Sequence, residues 1–204
     1  MTTRTRGKLK WILASSSPRR REILSSLGLR FRVDPSSRSE PDLLPGEEPR
    51  AYAVRAARVK SGEVGKKHRS GLVIGADTVV VRSDRVMGKP TSGEEARKML
   101  RILSAGWHDV ITGISLLDCG SGRSHSASEL SRVHFRRISG AEIDWYLKTG
   151  EYVDKAGAYA IQGYASLFID RIDGCYFNVV GFPIAAFERL CRTVGVDLKH
   201  ELGA

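Results

Sequence analysis

Three groups of residues in this chain have the types and spacing to do chemistry. The first is Ser15-Ser16-Ser17-Pro18-Arg19-Arg20, which follows the short apolar run Trp11-Ile12-Leu13-Ala14. Proline is favoured at the first position of a helix, so this segment reads as a strand-to-helix junction. Unpaired N–H groups and the positive end of a helix dipole attract phosphate there, and hydroxyls and guanidinium groups add charge-assisted hydrogen bonds. A plain serine N-cap with a basic exposed face fits the same residues.

The second group centres on Asp77, a lone acid flanked by Val73, Ile74, Val79 and Val80. A carboxylate is costly to bury uncompensated, so it caps a turn, pairs with a cation, binds metal or serves as a general base. Lys89-Pro90 follows closely enough for a returning strand to bring an ammonium to the same place. The third group is the segment from Asp154 to Gly163. Its small residues permit close backbone approach, and Gln162 offers a donor and an acceptor able to read a base edge. A tightly packed turn is the alternative.

These residues need elements to carry them. Ile23, Leu24 and Leu27 recur at helical spacing before Gly28, which predicts strand, serine-rich turn and helix over residues 11–28. Residues 30–34 read as a strand, 36–49 as a loop and 51–64 as a helix. The β-branched run 71–81 reads as a strand interrupted at Gly75-Ala76-Asp77-Thr78, with 85–87 pairing back. Thr91-Ser92-Gly93-Glu94 and Ser139-Gly140-Ala141-Glu142 have capping-box spacing before helices 96–103 and 143–148. Residues 109–117 and 126–135 form a hairpin in this reading, 166–172 and 176–180 two further strands around Asp173-Gly174, and Pro183 opens a closing helix to residue 194. Alternation of strands and helices predicts an α/β or α+β domain.

At 204 residues, with 41% hydrophobic and 27% charged residues, the chain has the composition of a globular domain with a sizeable core. No apolar run approaches the ~20 residues that span a bilayer, and no hydrophobic segment of signal-peptide length follows the basic amino terminus. A cytoplasmic location and no membrane partner are therefore expected. Cys119, Cys175 and Cys191 are odd in number and widely spaced, which fits neither a disulfide framework nor a zinc site. The net charge of +10 is concentrated at one end, where residues 1–32 hold nine Lys or Arg against Glu22 alone. That asymmetry suits an anionic partner, either nucleic acid or the phosphates of a small ligand. Aromatic residues make up 7% of the chain, and it has no zinc finger, RRM aromatic pattern or basic helical array, so no specific nucleic-acid partner is expected.

Taken in order, Leu13-Ala14-Ser15-x-Ser17-Pro18-Arg19-Arg20, Gly75-Ala76-Asp77-Thr78, Gly88-Lys89-Pro90, Asp154-Lys155-Ala156-Gly157-Ala158-Tyr159, Ile161-Gln162-Gly163 and Asn178-Val179-Val180-Gly181 resemble the signatures of the Maf nucleotide pyrophosphatases. The resemblance runs over about residues 11–194 and is specific as an ordered set. It implies an α/β fold in which an elongated mixed sheet is flanked by helices, with two lobes around a cleft, related to the inosine triphosphate pyrophosphatases. The domain expectation is a basic tail at 1–10, one two-lobed domain at 11–196 and a C-terminal tail at 197–204. It further implies hydrolysis of dTTP or UTP, or modified pyrimidine triphosphates, to the monophosphate and pyrophosphate. Asp77 takes the position of the general base. Arg19, Thr78 and Gln162 match positions tied to substrate choice, while Ser15, Arg20, Glu40, Lys60 and Lys89 match other polar positions of the cleft. A divalent cation, Mg²⁺ or Mn²⁺, would be held by Asp77 and Glu40, although Pro35 to Glu40 departs from the acidic pattern usual there. The expected partner is a small nucleoside triphosphate, and a homodimer is the commonest assembly open to such a chain. A pocket kept for sensing nucleotides without turnover is the rival reading.

Overall fold

A computed structural model describes residues 9–202. Most of the basic tail expected at 1–10 therefore lies outside the described residues. Seven strands form one mixed sheet in the order β2-β1-β3-β5-β6-β7, with β4 attached to β3. The strands are β1 (Trp11–Leu13), β2 (Phe31–Val33), β3 (Leu72–Arg82), β4 (Arg85–Met87), β5 (Gly106–Asp118), β6 (Ser124–Phe135) and β7 (Ile169–Asp173). β1 runs parallel to β2 and β3, and every other pairing is antiparallel. The helices are α1 (Pro18–Ser26), α2 (Pro49–Gly65), α3 (Gly93–Leu103), α4 (Gly140–Lys148), α5 (Tyr176–Val180), α6 (Ile184–Thr193) and α7 (Leu198–Glu201).

The long strand β3 organises the molecule. It pairs with β5 along residues 72–81, but on its other edge β1 reaches only Ile74 and β4 begins only at Val80. Residues 75–79 thus face no strand on that side. The interruption expected at Gly75–Thr78 does not occur in β3 itself, which is continuous. It lies in the neighbouring strands instead.

Side chains alternate across a strand, so Ile74, Ala76, Thr78 and Val80 share one face and Gly75, Asp77 and Val79 the other. On the Thr78 face two apolar cores lie at the two ends of β3. One gathers Leu13, Leu24, Ile74, Phe182 and Phe187, and the other Val80, Leu100, Phe135, Tyr146 and Phe168. On the opposite face lies α2, whose buried positions between Tyr52 and Val64 are small: Ala53, Ala56, Ala57 and Ser61. They meet Gly75 and Gly113 of the sheet. A Cβ on Gly75 would stand 2.2 Å from the Ala57 carbonyl oxygen, and one on Gly113 would stand 2.3 Å from that of Ala53. Helix and sheet are therefore in backbone contact, and this close seating brings the end of α2 over Asp77.

Other boundaries differ from the sequence reading for identifiable reasons. Residues 176–180 form a helix, not a strand: Gly181 closes it in the left-handed conformation at φ 118°, and Asn178 is buried with its Nδ2 donating to Val110 O and Ser131 Oγ. These tertiary contacts outweigh the β preference of Tyr, Phe and Val. At α3 the cap is Ser92, whose side chain accepts from Glu95 N, one residue later than the Thr91 expected. The capping box of Ser139 and Glu142 at α4 is complete. Residues 166–168 form a 3₁₀ turn before β7. Residues 197–202 are anchored: Leu198 is buried, Leu202 bridges to Leu29, and Glu201 Oε2 accepts from Leu9 N and Trp11 Nε1 at 3.1 Å each.

Candidate active site

The gap at the edge of β3 opens into a cleft of about 1020 Å³. Ser15, Arg19, Arg20, Glu40, Lys60, Asp77, Thr78, Lys89 and Gln162 all line it, although they come from six separate stretches of chain. Asp77 and Thr78 point to opposite faces of the sheet yet reach the same space, because no strand closes that edge.

Asp77 is 2% exposed. Its Oδ1 accepts a hydrogen bond from Lys60 Nζ, while the buried Oδ2 has no partner in the protein. Burial pushes the Asp77 carboxyl above its ordinary pKa, and the Lys60 ammonium only partly opposes this. From Lys60 the charges continue outward in alternation. Its ammonium stands 3.6 Å from Glu40 Oε1, which also accepts from Lys89 Nζ at 2.7 Å. Burial works against ionisation of Glu40, but the Lys89 hydrogen bond and the Lys60 charge together outweigh it and hold the group below the usual value.

At the strand-to-helix junction, Ser17 occupies the cap position of α1 but makes no side-chain cap, and the first turn carries no acid. Those amide groups stay open towards an anion. Arg19 is half-buried with its Nε unpartnered. Arg20 is different. Its Nε donates to Gly181 O at 2.9 Å, Nη1 to Ser15 Oγ at 3.2 Å and Nη2 to Thr78 Oγ1 at 3.0 Å. It ties α1, β3 and the end of α5 together, so only part of its donor set remains for a ligand. Burial lowers its pKa, with Asp77 opposing that shift.

Gln162 is exposed at the opposite wall of the cleft. Its loop is fixed by Glu151, whose Oε2 accepts from Tyr164 N at 2.8 Å and whose Oε1 accepts from Tyr146 Oη at 3.1 Å and Ala165 N at 3.2 Å. A Cβ at Gly163 would stand 2.1 Å from Glu151 Oε2, so that position needs glycine. Nothing in the local sequence marks Glu151 for this duty. Lys155 also lines the cleft, its pKa lowered by burial and then by the charge of Arg19; it stood inside a motif already quoted but was not singled out.

The donor set can accept a divalent cation. The described residues contain no cluster of three or more His, Cys, Asp or Glu. Mg²⁺ commonly takes only one or two protein carboxylates, however, and fills its other positions with water and phosphate oxygens. The unpartnered buried Oδ2 of Asp77, with Glu40 on the same cleft, suits that kind of site.

Fold and cleft thus define an α/β protein with a nucleotide-sized site in which lysines and arginines alternate with acids around one buried carboxylate. The chain belongs to the Maf-like protein family, whose profile it matches over residues 10–194. It is 46% identical to the dTTP/UTP pyrophosphatase of Syntrophomonas wolfei, over 91% of this chain and 98% of that one. It is 43% identical to that of Desulforamulus reducens (92% and 97%) and 46% identical to that of Anaeromyxobacter dehalogenans (93% and 96%). A crystal structure of a nucleoside-triphosphatase / dITP/XTP pyrophosphatase from Mycobacterium abscessus overlays at a TM-score of 0.44 and 12% identity, covering 94% of this chain and 97% of that one; a likeness so distant says nothing about activity. No helix among the described residues is long and apolar enough to cross a membrane.

Proposed function

We propose that this protein hydrolyses dTTP and UTP to the nucleoside monophosphate and pyrophosphate. One observation carries the reading. Asp77 is buried with an unpartnered oxygen in the cleft that Lys60, Lys89 and Arg19 also line.

A triphosphate is a polyanion, and its charge must be met before water can approach phosphorus. Lys60, Lys89 and Arg19 hold the β- and γ-phosphates, with Ser15 Oγ and the open amides of α1 on the remaining oxygens. Arg20 adds its charge from behind while holding Ser15 and Thr78 in place. Asp77 orients a water molecule and takes its proton as the oxygen attacks the α-phosphorus in line. The bond from that phosphorus to the bridging oxygen breaks, and pyrophosphate leaves. Asp77 and Glu40 would hold Mg²⁺ or Mn²⁺, which when bound would supply positive charge and make a water molecule more acidic. Most of the acceleration comes from positioning and from charge already in place. Thr78 and Gln162, with Arg19, choose the base and sugar.

The test is pyrophosphate release from the canonical triphosphates, with and without Mg²⁺ or Mn²⁺. Pyrophosphate and monophosphate from dTTP and UTP at the highest kcat/KM support the reading. Orthophosphate as the product, or no product from any triphosphate, overturns it.

A further inference from the structure

We propose that Thr112, a buried residue outside the cleft, fixes the Thr78 hydroxyl as a hydrogen-bond acceptor, so that the ligand group meeting Thr78 is an N–H or O–H of the nucleoside and not a phosphate oxygen. The proposal rests on the reading of the cleft as a nucleoside triphosphate site.

The polarity follows from counting protons. Thr112 pairs with Thr78 across β3 and β5 and is 0% exposed. Its Oγ1 lies 3.1 Å from the Asn178 carbonyl oxygen and 2.9 Å from Thr78 Oγ1. A carbonyl oxygen cannot donate, so the single Thr112 proton lies on the bond to Asn178. The Asn178 carbonyl also accepts from Gly181 N at 3.0 Å, but a Thr112 oxygen 3.1 Å away with no proton between them would still be repelled by it. Thr112 therefore accepts from Thr78, and the Thr78 proton is directed into the protein. Arg20 Nη2 donates to Thr78 Oγ1 at 3.0 Å, which occupies a lone pair and polarises the chain in the same sense. What remains on the cleft side of Thr78 is acceptor capacity alone.

An acceptor of fixed polarity repels a phosphate oxygen and a ring nitrogen that carries a lone pair. It welcomes the imide N–H of uracil or thymine, or a sugar hydroxyl. Cytosine carries an acceptor where uracil carries that N–H. Thr112 is thus a positioning residue for specificity, acting through Thr78.

The test compares kcat/KM for UTP, CTP and 3′-deoxy-UTP in the wild type, Thr78→Val, Thr112→Val and Thr112→Ser. If the base edge meets Thr78, Thr112→Val frees the hydroxyl to reverse and raises the CTP-to-UTP ratio by on the order of tenfold, while Thr112→Ser keeps the wild-type ratio. If the sugar meets it, 3′-deoxy-UTP loses on the order of tenfold in the wild type, and Thr78→Val erases that loss. A merely structural role for Thr112 lowers all three substrates alike and leaves the ratios fixed. Unchanged ratios among the three substrates in Thr112→Val overturn the proposal, whatever Thr78→Val does to the 3′-deoxy penalty. Should the wild type release no pyrophosphate at all, the pyrophosphatase reading fails on its own. The same ratios taken from dissociation constants by calorimetry then decide the polarity.

Discussion

Lys60 donates to only one oxygen of Asp77, leaving the other buried and without a partner. The lysine therefore orients the carboxylate without using it up. An isolated buried acid would be neutral, whereas Asp77 has a cationic partner on one oxygen and leaves the other for a metal ion or a water molecule.

Replacing Asp77 with Asn is expected to lower kcat by about 10²–10⁴-fold while the fold is kept. Because burial holds this carboxyl above its unfolded pKa, its contribution to stability is full below the unfolded value and is lost as pH rises through the folded value. The neutral amide removes that loss. Thermal unfolding of metal-free Asp77→Asn should occur no lower than wild type at pH 7, with the difference shrinking towards pH 4. A variant with near-normal turnover would take Asp77 out of the chemistry.

Glu40 is the second carboxylate offered to a cation, and it is exposed enough to exchange partners with Lys89. Glu40→Gln should raise the Mg²⁺ concentration that half-saturates activity about tenfold or more, with a smaller change in kcat at saturating metal. Titration of the rate with Mg²⁺ and Mn²⁺ separates the two effects. An unchanged metal requirement would leave Glu40 as a partner of the lysines only.

His108 adds a pH dependence of folding on the acid side. It lies 2.8 Å from Tyr159 Oη behind the cleft wall, and its Nδ1 is buried without a partner. Burial, with the nearby charge of Arg82, lowers its pKa from 6.5 to about 3. The stability held by the neutral ring is complete well above pH 6.5 and is lost as pH falls towards 3, by up to roughly 5 kcal/mol. Urea unfolding of His108→Gln should show a shallower decline between pH 6 and 4 than wild type. Parallel curves would mean that other groups control the acid limb.

Gly113 lies directly across from Asp77 and carries the backbone of α2. Gly113→Ala must push that helix away from the sheet, costing about 1–3 kcal/mol as overpacking. Because Lys60 rides on the same helix, kcat should fall by more than the loss of folded protein explains. Active-site titration against denaturation midpoint measures both; a loss of stability with kcat per folded molecule intact would uncouple the helix from the site.

Much of this arrangement could be read from the residues, and the failures share a cause. A lone acid in a β-branched run announced Asp77, and Pro18 after three serines announced the junction, because both rest on local chemistry. The break foreseen at Gly75–Thr78 is absent from β3; the gap lies between β1 and β4 on its edge, since pairing on a strand edge is not encoded in the strand's own sequence. Residues 176–180 read as a strand because local propensity cannot register Asn178 buried against β5 and β6. Lys60 entered only through family resemblance. A lysine in the last turns of an amphipathic helix is ordinary, and only the glycine seat beneath α2 makes it special. Glu151 left no trace at all, since its partners are amides of a loop thirteen and fourteen residues further on.

The missing strand beside residues 75–79 has an evolutionary corollary. Asp77 and Thr78 are neighbours in sequence, yet they draw their supporting contacts from different sides of one sheet, α2 on one and Arg20 with Thr112 on the other. If Thr78 reads the nucleoside as proposed, mutations that retune that recognition can accumulate without loosening the lysine on the acid. A lineage built this way is free to diversify in the nucleotides it accepts while its hydrolytic machinery stays under separate selection.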